Sequence, residues 1–237
     1  MSLLCKVADL ITEIPKAGGL APRCAEYLWD GKDCADVIIR TNPDCEKLWS
    51  PLPFESAMYM DTGFQFYTQL LKHQGLMLHS SAVEMNGRAY LFSGPCGMGK
   101  STHTRLWQST FGEAAQVFND DKPALRRMED GWYAYGTPWC GKDGINQNKK
   151  VPLAGICFLK QAPENKIRRL SKQEAMNKLI SQTLYKFKTE YGLDLMLTLV
   201  DRLIREIPIF ELENRPEPEA AHLSYETMRR AAEEIGL

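Results

Sequence analysis

Residues 94–101 read Gly94-Pro95-Cys96-Gly97-Met98-Gly99-Lys100-Ser101, with Thr102 next. The run fits G-x-x-x-x-G-K-[ST], the loop that cradles phosphate groups. Its glycines let the backbone take unusual dihedrals and approach an anion closely. Successive N–H groups then converge at a helix N-terminus, where the dipole favours negative charge. Lys100 would reach the β- and γ-phosphates, and the Ser101 hydroxyl would sit on a Mg²⁺ bridging them. A second group with chemical potential is Asp120-Asp121, after Phe118-Asn119 and before Lys122. Phosphoryl transfer gives carboxylates two jobs, holding a metal and accepting the proton of an attacking hydroxyl. Alone, such a pair reads as a solvated acidic turn; the phosphate loop upstream makes the functional reading the better one. His79, beside Ser80 and Ser81, is either a satisfied strand residue or a polar group at the mouth of a nucleotide site. His103, just past the loop, is expected on a helix surface. Trp139, Lys142, Asn146, Lys149 and Lys150 are expected in a polar, basic loop. That loop would clamp an anionic substrate or the γ-phosphate, or be plain solvated surface.

These groups need scaffolding, and the pattern around them supplies it. Residues 76–85 and 88–93 read as strands joined at Asn86-Gly87, the strongest short hairpin signal. Residues 100–110 read as the helix after the loop, giving the strand–loop–helix context the motif requires. Residues 116–118 form a brief strand ending at the acidic pair. Residues 124–127 and 132–135 form a second hairpin around Asp130-Gly131, and 151–159 a buried strand. Upstream, 56–74 has apolar residues at helical spacing, with Gly75 as its stop. Downstream, helices are expected over 172–186, 193–205 and 227–235. Residues 207–212 read as an edge strand, where Pro208 is tolerated. In the first 55 residues only a strand over 35–40 and a helical turn over 24–29 stand out. The expected organisation is a small accessory layer over 1–55, mostly β, and a core over 56–237.

Composition bounds the remaining classes. With 44% hydrophobic and 25% charged residues and a net charge of −1, the chain reads as an ordinary globular protein with no basic field for nucleic acid. Apolar runs are too short for a membrane span, and the start lacks the features of a secretion signal. The seven cysteines, scattered and without C-x-x-C, argue against disulfides or zinc and for reduced thiols in the cytoplasm.

Taken together, Leu76-Met77-Leu78-His79-Ser80-Ser81-Ala82-Val83, Gly87, the segment from Leu91 to Thr102, and Phe118-Asn119-Asp120-Asp121-Lys122 resemble the HPr kinase/phosphorylase and ATP-dependent phosphoenolpyruvate carboxykinase superfamily. The resemblance covers about residues 76–127, and Lys122 stands where those kinases have a basic residue. It implies an α/β (mixed α+β) P-loop fold with a mixed sheet flanked by helices and a helical C-terminal part. It also implies ATP and Mg²⁺ as cofactors and transfer of a phosphoryl group to a hydroxyl of a peptide, protein or metabolite. Carried over residue by residue, it assigns Asp120 as base, His79 as its helper and Asp121 as metal-side support, with Ser101 and an aspartate on the metal. The glycine- and asparagine-rich signature that HPr kinases carry after the second hairpin is not visible, and Gly136 to Gly141 and Asn146 to Lys150 stand in its place; HPr recognition, the phosphorylase reaction, hexamer assembly and a homo-oligomer all stay open. A regulatory nucleotide-binding module and a carboxykinase-like lyase are the rival readings; the latter is disfavoured by the short chain.

Overall fold

The computed structural model describes residues 2–16, 19–183 and 190–237, apart from the side chains of 190 and 191. Strands β1 (Ser2–Val7) and β2 (Leu10–Pro15) form a hairpin, and β3 (Val37–Ile38) joins β2 in parallel to complete a three-stranded sheet. The hairpin is unmarked in sequence because its turn uses Ala8 and Asp9 at φ 52° and 61°, where glycine or asparagine is usual. Helices α1 (Cys45–Leu48) and α2 (Phe54–Leu70) follow. A 3-10 turn extends α2 to His73, and Gln74, at φ 57°, closes it in place of Gly75.

Among the described residues the main sheet has nine strands. They are β4 (Gly75–Met77), β5 (Ser80–Met85), β6 (Arg88–Ser93), β7 (Ala115–Asn119), β8 (Ala124–Met128), β9 (Gly131–Tyr135), β10 (Lys150–Gln161), β11 (Lys166–Arg169) and β12 (Ile209–Asn214). Helices α3 (Lys100–Phe111), α4 (Lys172–Gln182), α5 (Glu190–Glu206) and α6 (Pro218–Glu234) complete the chain. Order along the sheet is β4-β8-β9-β10-β6-β5-β7, with β12 on β10 and β11 on β12. The sheet is mixed: β10 runs parallel to β6 and β12 but antiparallel to β9. Alternation along the strands sorts two cores. Ala89, Leu91, Ile156 and Phe158 face Leu179, Leu199 and Leu203 of α4 and α5. Tyr90, Phe92, Ala154 and Cys157 face Trp107 of α3 and Met228 of α6. A third core joins the three-stranded sheet to α2 and Trp139.

Four expectations change. The strand expected over 76–85 is two strands: β4 pairs with β8 and β5 with β6, because the chain turns off at Leu78-His79, where the His79 N–H donates to Gln182 O (2.8 Å). The strand over 207–212 is not an edge, since β12 starts after Pro208 and lies between β10 and β11. Helix α4 stops at Gln182, and Thr183 turns extended to bridge Leu78; residues 184–186 of the expected helix lie outside the described residues. The final helix begins at Pro218, a residue suited to a first helical turn. Among the described residues no helix is long and apolar enough to cross a membrane.

Candidate active site

Strand register assembles the site. Ser80 pairs with Ser93 across β5–β6, so His79 lies level with Gly94 at the start of the phosphate loop. Ala82 pairs with Asn119 across β5–β7, which brings the acidic pair to the same end, where the Ser80 N–H donates to Asp121 O (3.1 Å). The Ser93 hydroxyl donates to His79 O (2.9 Å), tying the loop's root to the histidine.

The backbone of residues 94–101 turns at its glycines. Gly97 and Gly99 sit at φ 81° and 94°, and a side chain at either would be strained even though the space around them is open. Gly99 ends the loop, and α3 starts at Lys100, so the first N–H groups of α3 have no intrahelical acceptor. Lys100 Nζ donates to Gly94 O (2.9 Å) across the loop. Burial lowers the Lys100 pKa, while the Asp121 charge pulls it back up.

The two aspartates are adjacent in sequence and opposite in environment. Asp120 accepts the N–H groups of Gly141 (2.6 Å) and Asp143 (3.1 Å) on its two oxygens, pinning the 141–143 loop. Gly141 permits the approach, because a Cβ there would lie 2.9 Å from Asp120 Oδ2. Burial nevertheless raises the Asp120 carboxyl above the usual carboxylate range. Asp121 is more open. His79 Nε2 lies 3.1 Å from its Oδ1, and Lys122 Nζ contacts Oδ2. Burial pushes its carboxyl up, but hydrogen bonds from His79 and Lys122 and their charge outweigh this and hold it well below the usual range. The pairing of His79 with Asp120 implied by resemblance is therefore corrected: the histidine serves Asp121, because the β5–β7 register presents Asp121, not its neighbour, to β5. His79 Nδ1 in turn faces Gln182 Oε1 (3.0 Å).

Asn119, fully buried, fixes the acidic turn. Its Oδ1 accepts the N–H groups of Asp121 (3.2 Å) and Lys122 (2.8 Å), and its Nδ2 donates to Thr137 O (3.1 Å). On the far side, Arg23 reaches in from the first 55 residues. Its guanidinium stacks over Tyr59 (4.9 Å) and donates to Cys140 O (3.1 Å), while Lys122 lies over the same ring (5.6 Å). A cleft of about 370 Å³ opens there, between Arg23, Glu55 and Tyr59. Neither Arg23 nor Tyr59 sits in a local motif, so no sequence signal marks them.

Other expected site residues lie elsewhere. Trp139 is core: it is fully buried, stacks on Phe66 at 4.8 Å and donates from Nε1 to Thr62 Oγ1 (3.3 Å). Lys149 pairs with Glu84 (2.7 Å) and Lys150 with Asp9 (2.9 Å), both away from the loop. These three residues are not brought to the phosphate loop. Lys142, exposed between Gly141 and Asp143, is the basic residue of that segment that does border the acidic pair. His103 is not on the surface but 2% exposed, against Phe92 at 4.4 Å. Among the described residues no cluster of three or more His, Cys, Asp or Glu side chains is arranged to hold a metal.

The sequence model of the family described as SynChlorMet cassette protein ScmC matches residues 55–213, and the chain belongs to that family. The matched segment spans the 94–101 loop, the acidic pair and His79. Among solved structures, the chain is similar to the Hpr(Ser) kinase/phosphatase from Coxiella burnetii, with 11% identity over 67% of this chain and 92% of that one and a TM-score of 0.38. No curated protein matches.

Proposed function

We propose that this protein is a phosphotransferase that moves the terminal phosphoryl group of a Mg²⁺-bound polyphosphate donor, ATP in the first instance, to a hydroxyl of a peptide, protein or metabolite. The observation that supports this best is the pairing of His79 Nε2 with Asp121 Oδ1 (3.1 Å) at the end of β5 and β6 where the loop that carries Lys100 begins. Backbone N–H groups of the loop and the Lys100 ammonium bind the phosphates and neutralise developing charge. Asp121, oriented by His79, takes the proton of the attacking hydroxyl. As its oxygen bonds to the terminal phosphorus, the bond to the bridging oxygen breaks and the shortened donor leaves. A low-basicity carboxylate suits this step, since a loose phosphoryl transition state asks little of its base. Asp120 serves as the anchor of the 141–143 loop. Ser101, in the first turn of α3, would offer a hard oxygen donor to Mg²⁺, which when bound would supply charge neutralisation at the phosphoryl oxygens. The 370 Å³ cleft beside Arg23 and Tyr59 is the approach for the acceptor.

The test is transfer from γ-labelled Mg-ATP into protein, peptide and metabolite fractions of a cell extract. Wild type should label one fraction, and Asp121→Asn should lose transfer by about 10²–10⁴-fold while still binding ATP. Equal labelling by both proteins would remove Asp121 from the mechanism. ATP binding without labelling in any fraction would favour a regulatory module.

A further inference from the structure

We infer that the acceptor carries a carboxylate close to its hydroxyl, and that Arg23 binds this carboxylate in the cleft beside Tyr59. This rests on the proposed function and extends it to the acceptor's chemistry. The cleft of about 370 Å³ has Arg23, Glu55 and Tyr59 on its walls together with the apolar Leu52 and Met60. Arg23 comes from a 3-10 turn over Ala21–Tyr27, outside the residues that the family model matches. Two cations pack on the Tyr59 ring, the Arg23 guanidinium at 4.9 Å and Lys122 Nζ at 5.6 Å. Lys122 Nζ in turn contacts Asp121 Oδ2, so a group held by Arg23 lies about one aromatic ring away from the proposed base.

The second observation is a cation without a counter-ion. A guanidinium has five N–H donors. On Arg23, those of Nη1 go to Tyr59 OH (3.3 Å), Cys140 O (3.1 Å) and Cys140 Sγ (3.1 Å). Among the described residues Nε and Nη2 find no acceptor, and no carboxylate pairs with Arg23. Lys122, on the same ring, has Asp121. Arg23 is half-buried and held by stacking, and such a charge is costly unless something pairs with it. Its three open N–H groups match the two oxygens of a carboxylate. A phosphate dianion would ask for a second cation, and Lys122 is already taken. Leu52 and Met60 make the nearby wall apolar, which strengthens a charge-assisted bond. Glu55 is exposed at the start of α2, where water weakens its opposing field.

Transfer from γ-labelled Mg-ATP into a cell extract tests this, with the carboxyl groups of half the extract first converted to methylamides by carbodiimide and methylamine. Wild type should label the untreated half and lose at least about tenfold of that label in the amidated half. Separating peptides from metabolites then tells a peptide carboxylate from that of a small hydroxy acid. Arg23→Gln should need about ten times more untreated extract for half-maximal rate, respond little to amidation, and keep the thermal shift given by Mg-ATP. Glu55→Gln, which removes the opposing charge, should raise labelling by about twofold. Undiminished labelling of the amidated half, equal labelling by wild type and Arg23→Gln, or a loss of labelling in Glu55→Gln would overturn the assignment and leave the phosphotransferase reading standing. No label from wild type in either half would overturn both.

Discussion

The β5–β6 hairpin has two ends of contrasting character. At the Asn86-Gly87 end, charges are matched: Lys149 pairs with Glu84 and Gln116, and Asn86 Nδ2 donates to Tyr225 OH (2.8 Å). A hollow of about 570 Å³ lies there, but its Arg229 is held by Glu226 and Glu233. At the His79–Gly94 end the backbone turns through left-handed glycines and a helix starts with unsatisfied N–H groups. Lys100 there meets the carbonyl oxygens of Gly94 and Pro95, and the Asp121 carboxylate is kept ionised. The Asn86-Gly87 end, sealed by these pairings, has the larger hollow. Volume alone does not make a binding site; groups left wanting a partner do.

Trp139 offers the largest test of this contrast. Removing the ring with Trp139→Ala should cost about 3–5 kcal/mol of stability, because the side chain is buried against Phe66 and Tyr67. Chemical denaturation reads this, and a loss below about 1 kcal/mol would return Trp139 to the list of surface ligands. Next, Lys100→Ala should abolish the thermal shift given by Mg-ATP, which at 100 times Kd amounts to about 2.7 kcal/mol. An undiminished shift would mean the loop is not the phosphate site. Asp121 gives a pH signature. Its folded pKa is depressed, so its contribution to stability is full above the ordinary value of 3.8 and is lost as pH falls below it. The stability gap between wild type and Asp121→Asn should therefore narrow in acid; a gap that widened would contradict the ion-paired geometry. The smallest effect belongs to the sealed end: Lys149→Ala, breaking a partly exposed pair, should cost under about 1 kcal/mol and leave ATP binding untouched.

The sequence by itself determined the local features. Gly94 to Ser101 are contiguous and their dihedral demands are written in residue type, so the loop, its helix and the Asn86-Gly87 turn were legible. The Asp130-Gly131 hairpin was legible for the same reason. The β1–β2 hairpin was not, since Ala8 and Asp9 take left-handed dihedrals that their types do not announce. Tertiary structure decided the rest. Which aspartate meets His79 depends on strand register between β5 and β7, and register is set by which faces the sheet buries. Whether His103 and Trp139 are ligands or core depends on α6 and α2 packing over them from distant parts of the chain. Arg23 reaches Cys140, 117 positions away, from a 3-10 turn between β2 and β3. Contacts between residues a hundred positions apart leave no periodicity to read, so the chemistry of the loop is local and the assignment of its partners is not.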